Sequence, residues 1–221
     1  MEMAEEEAGE PEEEVREITV ETPLIRMIKE GRVSSVEDVF NMGLKIREPE
    51  AIDLLLRKIR EEVISMSPVQ KQSDAGEKTR FRALVVVGDE DGHVGIGSAK
   101  AKQVRDAIEK AARKARLNII PVPRGCGSWE CKCGEPHSIP SKTLGKTGSV
   151  TVVLFPGPKG LGLVVGDAAK PLFRLAGIRD VWSKTKGSTS TSHSFVTASY
   201  LALKRLFTTS FLASEAARVE G

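Results

Sequence analysis

Apolar and polar residues alternate along residues 80–87, where Phe81, Ala83, Val85 and Val87 fall on one side, the two-residue period of a strand. The turn-forming run Gly88-Asp-Glu-Asp-Gly92 follows, and residues 93–97 return as a second strand. Ser98 then stands where a helix N-cap is expected. From there the period lengthens. Val104, Ile108, Ala111 and Ala115 recur at helical spacing within residues 99–116. Upstream, residues 68–82 read as another strand, a small polar loop at 72–79, and the start of the next strand.

The same reading extends to both flanks. Residues 22–66 predict three short helices. Thr22-Pro23 opens the first and Gly31 stops it; Ser34-x-x-Glu37 is a capping box for a second ending near Gly43; Pro49 opens a third. That third helix carries Ile52, Leu55, Leu56, Ile59 and Val63 as one stripe. These helices hold few large apolar residues, so they are expected to pack on the rest of the chain or on a partner. Prolines 121, 123, 136 and 140 argue against helix in residues 119–142, which read as a connector. Residues 148–210 predict a second α/β unit, with strands at 149–155, 161–165 and 178–184 and helices at 168–176 and 194–206.

The fold class is therefore α+β. The expected division is an acidic disordered tail (1–17), a helical extension (18–66), a three-stranded sheet covered by one helix (67–118), a connector (119–142), a second α/β domain (143–210) and a tail (211–221). A three-stranded antiparallel sheet under one helix is the shape of a double-stranded-RNA-binding module.

Charge sharpens this picture. The chain of 221 residues carries 33 basic and 31 acidic residues, for a net charge of +2. Nine of the acids and a single arginine lie in residues 1–17, which leaves 32 bases against 22 acids in the remainder. A basic body of this kind suits a phosphate-rich partner. Residues 99–116, counted with Lys100 and Lys102, hold seven cations and two anions. Lys71, Lys78, Arg80 and Arg82 flank the 72–79 loop. The run Lys184-Thr-Lys186-Gly-Ser188-Thr-Ser-Thr-Ser-His193 combines lysines with hydroxyls, donors that suit phosphate oxygens. The candidate RNA contacts are Lys71, Lys78, Arg80, Arg82, Lys100, Lys102, Arg124, Lys142, Lys184, Lys186 and Ser188. With 5% aromatic residues, a large base-stacking platform is not expected. No apolar run reaches membrane-spanning length, and the chain reads as soluble and intracellular with no small-molecule substrate.

All three cysteines fall in the connector, in Cys126-Gly-Ser-Trp-Glu-Cys131-Lys-Cys133-Gly-Glu-Pro-His137. Three thiolates and an imidazole make a complete tetrahedral set, and a closed set is structural rather than catalytic. Cys126-x4-Cys131 has ordinary spacing, whereas Cys131-x-Cys133 is tighter than the common two-residue gap. A structural zinc and a reduced loop of idle thiols both remain open at this point. An odd cysteine count in an intracellular chain disfavours a disulfide.

Enzymatic motifs fail on inspection. Gly145-Lys146-Thr147 lacks the glycine a P-loop needs five residues earlier, where Pro140 stands. The glycine triplets at 92–97 and 157–162 have the wrong order for a dinucleotide fingerprint and read as turns or close backbone packing. His93 has no acid or nucleophile tied to it by spacing and reads as structural. No enzyme is expected.

Several long motifs, in order, resemble one family: Arg80-Phe-Arg-Ala-Leu-Val-Val-Val-Gly-Asp, Gly92-His-Val-Gly-Ile-Gly, Asn118-Ile-Ile-Pro-Val, Pro136-His-Ser-Ile-Pro, Leu175-Ala-Gly-Ile-Arg-Asp-Val-Trp and Leu201-Ala-Leu-Lys-Arg-Leu. The chain resembles the fifth family (S-five) of small-subunit ribosomal proteins, in its archaeal and eukaryotic branch. The resemblance implies a double-stranded-RNA-binding-like half, then a half with left-handed split βαβ topology. It implies a structural part of the cytoplasmic small subunit that binds ribosomal RNA near the neck, supports decoding accuracy, lies beside the S-four and S-eight family proteins, and has messenger RNA nearby. It also implies that the loop at 72–78 enters RNA, and it aligns Gly187-Ser188 with a family Gly-Ser. A free RNA-binding regulator or unwinding factor on the same fold, and a metal-dependent enzyme at the Cys126–His137 cluster, are the rival readings.

Overall fold

The strand at the centre of the first sheet serves two faces. Ala83, Val85 and Val87 pack beneath α4 (Val104–Leu117), while Leu84 and Val86 point the other way, into a core shared with the second half of the chain. Structure is described, in a computed structural model, for residues 23–219 apart from 57 and 132. The acidic tail and Thr22 lie outside the described residues.

Three short helices come first: α1 (Pro23–Lys29), α2 (Val36–Asn41) and α3 (Pro49–Leu55). Strands β1 (Arg60–Ser73), β2 (Gly76–Gly88), β3 (His93–Ala101) and β4 (Ile119–Pro121) form a sheet in sequential order, all pairs antiparallel. The second sheet has the order β5-β6-β8-β7, from β5 (Thr143–Thr147), β6 (Val150–Pro156), β7 (Leu163–Val164) and β8 (Val181–Lys186). A short 3-10 turn (Asp167–Ala169) leads into α5 (Lys170–Leu175), and α6 (Ser192–Val219) follows β8. The α+β class stands. The split does not appear in the α5 unit: β7 and β8 are parallel direct neighbours, with no strand between them.

Glycine and alanine set how closely helix meets sheet. A Cβ on Gly97 would strike the backbone of Ala111 and Ala115, and one on Gly95 the carbonyl of Ala115. The α4 backbone therefore lies directly on the β3 backbone, with Ala107, Ala111, Ala112 and Ala115 buried between them. Gly145 gives the same contact in the second domain, against Ala198 and Ala202 of α6. Gly95, Gly97 and the failed P-loop residue Gly145 are thus packing sites, whereas Gly92, Gly160 and Gly162 take the positive φ of turn glycines.

The two sheets share one core. Leu84, Val86, Val94, Ile96, Ile120 and Val122 from the first half pack with Val152, Leu154, Leu172, Phe173, Ile178 and Leu203 from the second. Polar ties cross the same boundary. The Glu90 amide donates to Leu175 O at 2.9 Å, and the Tyr200 hydroxyl on α6 donates to Asn118 O at 2.5 Å. Burial pushes the Tyr200 phenol well above its usual range, so it stays a donor. Tyr200→Phe removes that donor and is expected to cost about 1 kcal/mol, lowering the melting temperature by roughly 2–4 °C for a chain of this size. Thermal unfolding followed by circular dichroism checks this, and an unchanged midpoint would mean the bond adds nothing to the join.

Several local expectations shift. The third helix stops at Leu55, and its supposed stripe divides: Leu56 turns to extended backbone, and Ile59 and Val63 lie before and within a strand. Pairing along the whole of β2, from Arg60↔Gly88 to Ser73↔Gly76, outcompetes further helix in residues 60–66. The capping box sits one residue later than expected. The Ser35 hydroxyl accepts from the Asp38 amide at 3.2 Å, and Asp38 accepts from the Ser35 amide at 3.0 Å, because chain entry places Ser35 in the extended cap conformation. Ser98 is not a cap: β3 continues to Ala101, and Gln103 precedes α4. The connector contributes β4, and α6 runs through most of the supposed C-terminal tail. The helical extension packs on the first sheet, with Val36 and Ile52 against Ile119, and Phe40 meets Phe207 of α6 edge-on at 5.4 Å.

Candidate metal centre and nucleic-acid interface

Register decides which cations share a surface. Lys78, Arg80 and Arg82 alternate along β2 and so point to one face; Lys71 lies opposite Lys78, and Lys100 of β3 lies opposite Arg82. All five occupy the side of the sheet that, nearer its base, buries Leu84 and Val86. The expected loop at 72–79 is almost entirely hairpin, with only Asp74 and Ala75 unpaired at its tip. Beyond the second domain's cover this hairpin is exposed along nearly all of residues 66–80. Two like-charge pairs directly across strands, Lys71↔Lys78 and Arg82↔Lys100, oppose the sheet's own stability.

The hairpin face runs toward the second domain. Burial, and then the Arg82 charge, hold the His193 imidazole at the start of α6 below its ordinary pKa. The loop before that helix carries Ser188, whose hydroxyl lies 3.2 Å from that of Ser190. Lys184 and Lys186 sit on the open face of the second sheet, alternating with inward Ser183 and Thr185. Lys142 lies 4.9 Å over the Phe155 ring and lines a shallow groove with Leu144 and Arg205. Lys102 is exposed just before α4.

Two arginines serve the fold. Arg124 is engaged inside the protein: its guanidinium is 2.6 Å from Asp91 Oδ1 and donates to Asp91 O at 2.8 Å, bracing the β2–β3 turn. Arg116 on α4 pairs with Asp53 at 3.0 Å and Glu61 at 2.6 Å, tying the helical extension down. His93 is structural as expected. Its Nδ1 lies 2.6 Å from Asp89, whose carboxylate also accepts the Asp91 and His93 amides. Burial opposes ionisation of Asp89, yet those partners hold its pKa below the usual value.

Sequence reasoning missed a feature of the second sheet. Phe155 and Trp182 are directly paired across β6 and β8 on the open face, which also carries Leu144, Lys146, Val153, Val164, Lys184 and Lys186 and no acid. Alternation within 150–156 and 181–186 carried half of this; the register that joins the rows did not show in the sequence.

The four connector ligands converge. Their donor atoms all lie within 4.8 Å of one another. Cys126 Sγ is 3.6 Å from Cys133 Sγ, and Cys131 Sγ is 3.7 Å from His137 Nε2. Zinc–sulfur and zinc–nitrogen bonds of ordinary length give tetrahedral edges of about 3.8 Å for S–S and about 3.6 Å for S–N, so the donor set fits that ion. The Lys159 and Cys133 amides, with the Cys133 thiol, pull the Cys131 thiol down to about 6. For Cys133 the Glu135 amide pulls the same way, but burial and the neighbouring Cys131 and Cys126 sulfurs outweigh it and raise the pKa. A short bridge, Gly125↔Ser138, closes the loop. His137 is buried against the second domain: its carbonyl accepts the amides of Arg179 at 2.9 Å and Asp180 at 3.2 Å.

No helix among the described residues is long and apolar enough to cross a membrane. In comparisons with known proteins, residues 59–123 match the family described as ribosomal protein S5, N-terminal domain, and residues 145–216 match ribosomal protein S5, C-terminal domain. The small ribosomal subunit protein uS5 of Aeropyrum pernix is 58% identical over 182 residues, covering 82% of this chain and 84% of that protein. That of Saccharolobus solfataricus is 54% identical over 196 residues, covering 86% and 92%. That of Pyrobaculum aerophilum is 52% identical over 186 residues, covering 84% and 85%.

Proposed function

The chain belongs to the ribosomal protein S5 family, and from that premise we propose that it is a structural constituent of the small ribosomal subunit that grips ribosomal RNA by charge and shape. The family is one of structural ribosomal proteins rather than enzymes, and no catalytic cofactor is needed. The observation that carries the RNA reading is the hairpin face, where Lys71 faces Lys78 and Arg82 faces Lys100. Such pairs repel until an anion lies between them, and a ribose–phosphate ridge supplies that anion at regular spacing. A-form RNA hides its base edges in a deep groove, so contact along backbone and shape is the expected mode.

Lys71, Lys78, Arg80, Arg82, Lys100, Lys102, Lys142, Lys184, Lys186 and Ser188 are the proposed contacts; Arg124 is assigned instead to the fold. The site lies near the neck of the subunit and beside the S-four and S-eight family proteins, with messenger RNA close by, and it supports decoding accuracy. Sedimentation tests the assignment: the protein should travel with small subunits through a high-salt wash, and a chain that runs free would favour an RNA-binding regulator.

The Cys126, Cys131, Cys133 and His137 set is assigned a structural zinc. Four protein donors close the shell, leaving no position for substrate. When bound, the ion holds the connector folded; the chain's own glycines and the Gly125↔Ser138 bridge let the backbone wrap around it. One zinc per chain is expected by elemental analysis of protein purified without chelator, falling below a tenth of that in a Cys126→Ser, Cys133→Ser double variant. Fully folded wild-type protein free of metal would refute the assignment.

A further inference from the structure

Asp180 stands 43 positions beyond His137 in the sequence and next to it in space. Its side chain is 6% exposed. Oδ2 lies 2.9 Å from His137 Nδ1, on the side of the ring opposite the Nε2 that faces Cys131. The contact has ion-pair distance but no well-aligned hydrogen bond in this ring orientation. Oδ1 accepts the Gly162 amide at 2.7 Å, and the Asp180 carbonyl accepts the Ser138 hydroxyl at 2.5 Å. The same Ser138 oxygen accepts the Gly157 amide at 3.1 Å.

A buried carboxylate is costly unless charge or hydrogen bonds compensate it. Among the described ion pairs, the one partner of Asp180 is His137. An imidazole that gives Nε2 to a cation keeps its proton on Nδ1 and becomes a stronger donor there, and a carboxylate behind it fixes both tautomer and ring angle. The geometry points to Asp180 as the outer-sphere carboxylate of the metal centre, a positioning residue through which the ion also anchors the edge strand β7 to the second sheet. This rests on the zinc assignment above. The second half of the inference follows from the ties along that edge, where the Val181 amide also donates to Gly162 O at 3.2 Å and Leu163 and Val165 pack on the shared core. β7 has two residues, paired to β8 at Leu163↔Val181 and Val164↔Trp182. The Gly162 amide on Asp180 and the Ser183 hydroxyl on Val164 O are its side-chain ties. A ring held by the ion holds Asp180, and Asp180 holds Gly162.

The test uses the full-length chain and zinc itself. Asp180→Asn should keep the shape and the Gly162 bond yet weaken zinc 10- to 100-fold, the range for losing such a second-sphere partner, in competition with a chromophoric chelator. With cobalt in place of zinc, its ligand-field bands should shift in Asp180→Asn, which a purely structural role would not cause. In the wild-type chain, chelation should speed hydrogen exchange at Gly162 while leaving Gly95 and Gly97 in the first sheet protected. That measurement needs no variant to fold. Unchanged zinc affinity and cobalt spectrum in Asp180→Asn, or Gly162 exchange indifferent to chelation, would overturn the inference while the zinc assignment stood. A wild-type chain that takes up no zinc would remove both.

Discussion

Reversing Lys78, Arg80 and Arg82 together to glutamate should abolish tight binding to small-subunit RNA while leaving the protein folded. The three residues share one face of β2 with Lys71 and Lys100 across the strands. Lys78 and Arg80 are exposed and Arg82 is half-buried, so the sheet loses little packing. It even gains: the Lys71–Lys78 and Arg82–Lys100 repulsions become attractions. Each lost phosphate contact should lower the slope of log affinity against log salt by nearly one, so three should lower it by about 2.7. With the wild-type chain, six to ten phosphate contacts predict a fall of roughly 10³–10⁵ between 50 and 200 mM salt. Filter binding across a salt series reads both quantities. A triple variant with wild-type slope and affinity would show that the hairpin face does not meet phosphate. Incorporation into small subunits gives the cellular counterpart, and it should fall with the same variant.

The largest effect on stability is expected from Gly97→Val. Even a methyl at Gly97 would overlap the Ala111 carbonyl and the Ala115 amide, which are helix backbone and cannot rotate aside. The helix must lift off the sheet, loosening the contacts of Ala107, Ala111 and Ala115 with Val85 and Val87. Overpacking of this kind costs about 1–3 kcal/mol, and the backbone clash puts Gly97→Val near the top of that range. At about 3 kcal/mol the melting temperature should fall by roughly 6–12 °C. A fall below 1 °C would mean that α4 does not rest on β3 in solution.

These two cases differ in how much the sequence foretold. The alanine stripe of α4 and the glycine triplet at 92–97 were both legible, since a 3.6-residue period and close-packing glycines are local signals. The hairpin cations were legible as candidates, but that Lys71 and Arg82 each face another cation needed the register. Local patterning also misled where a distant strand competed. Ile52, Leu55, Leu56, Ile59 and Val63 fit a helix until β2 offers residues 60–73 a full ladder of hydrogen bonds. Arg124 and Arg116 looked like their neighbours in composition, yet Asp91, Asp53 and Glu61 bind them from other elements.

By itself the sequence determined the α+β class, the pairing of a small-residue helix with a glycine-bearing strand, the basic body and the Cys126–His137 donor set, because each depends on residues within a few positions of one another. Tertiary structure alone decided that both sheets share one core, that five cations line one face of the first sheet, and that Asp180 stands behind His137. Each of these joins residues tens of positions apart, and only chain folding, through register and burial, sets which distant groups become neighbours.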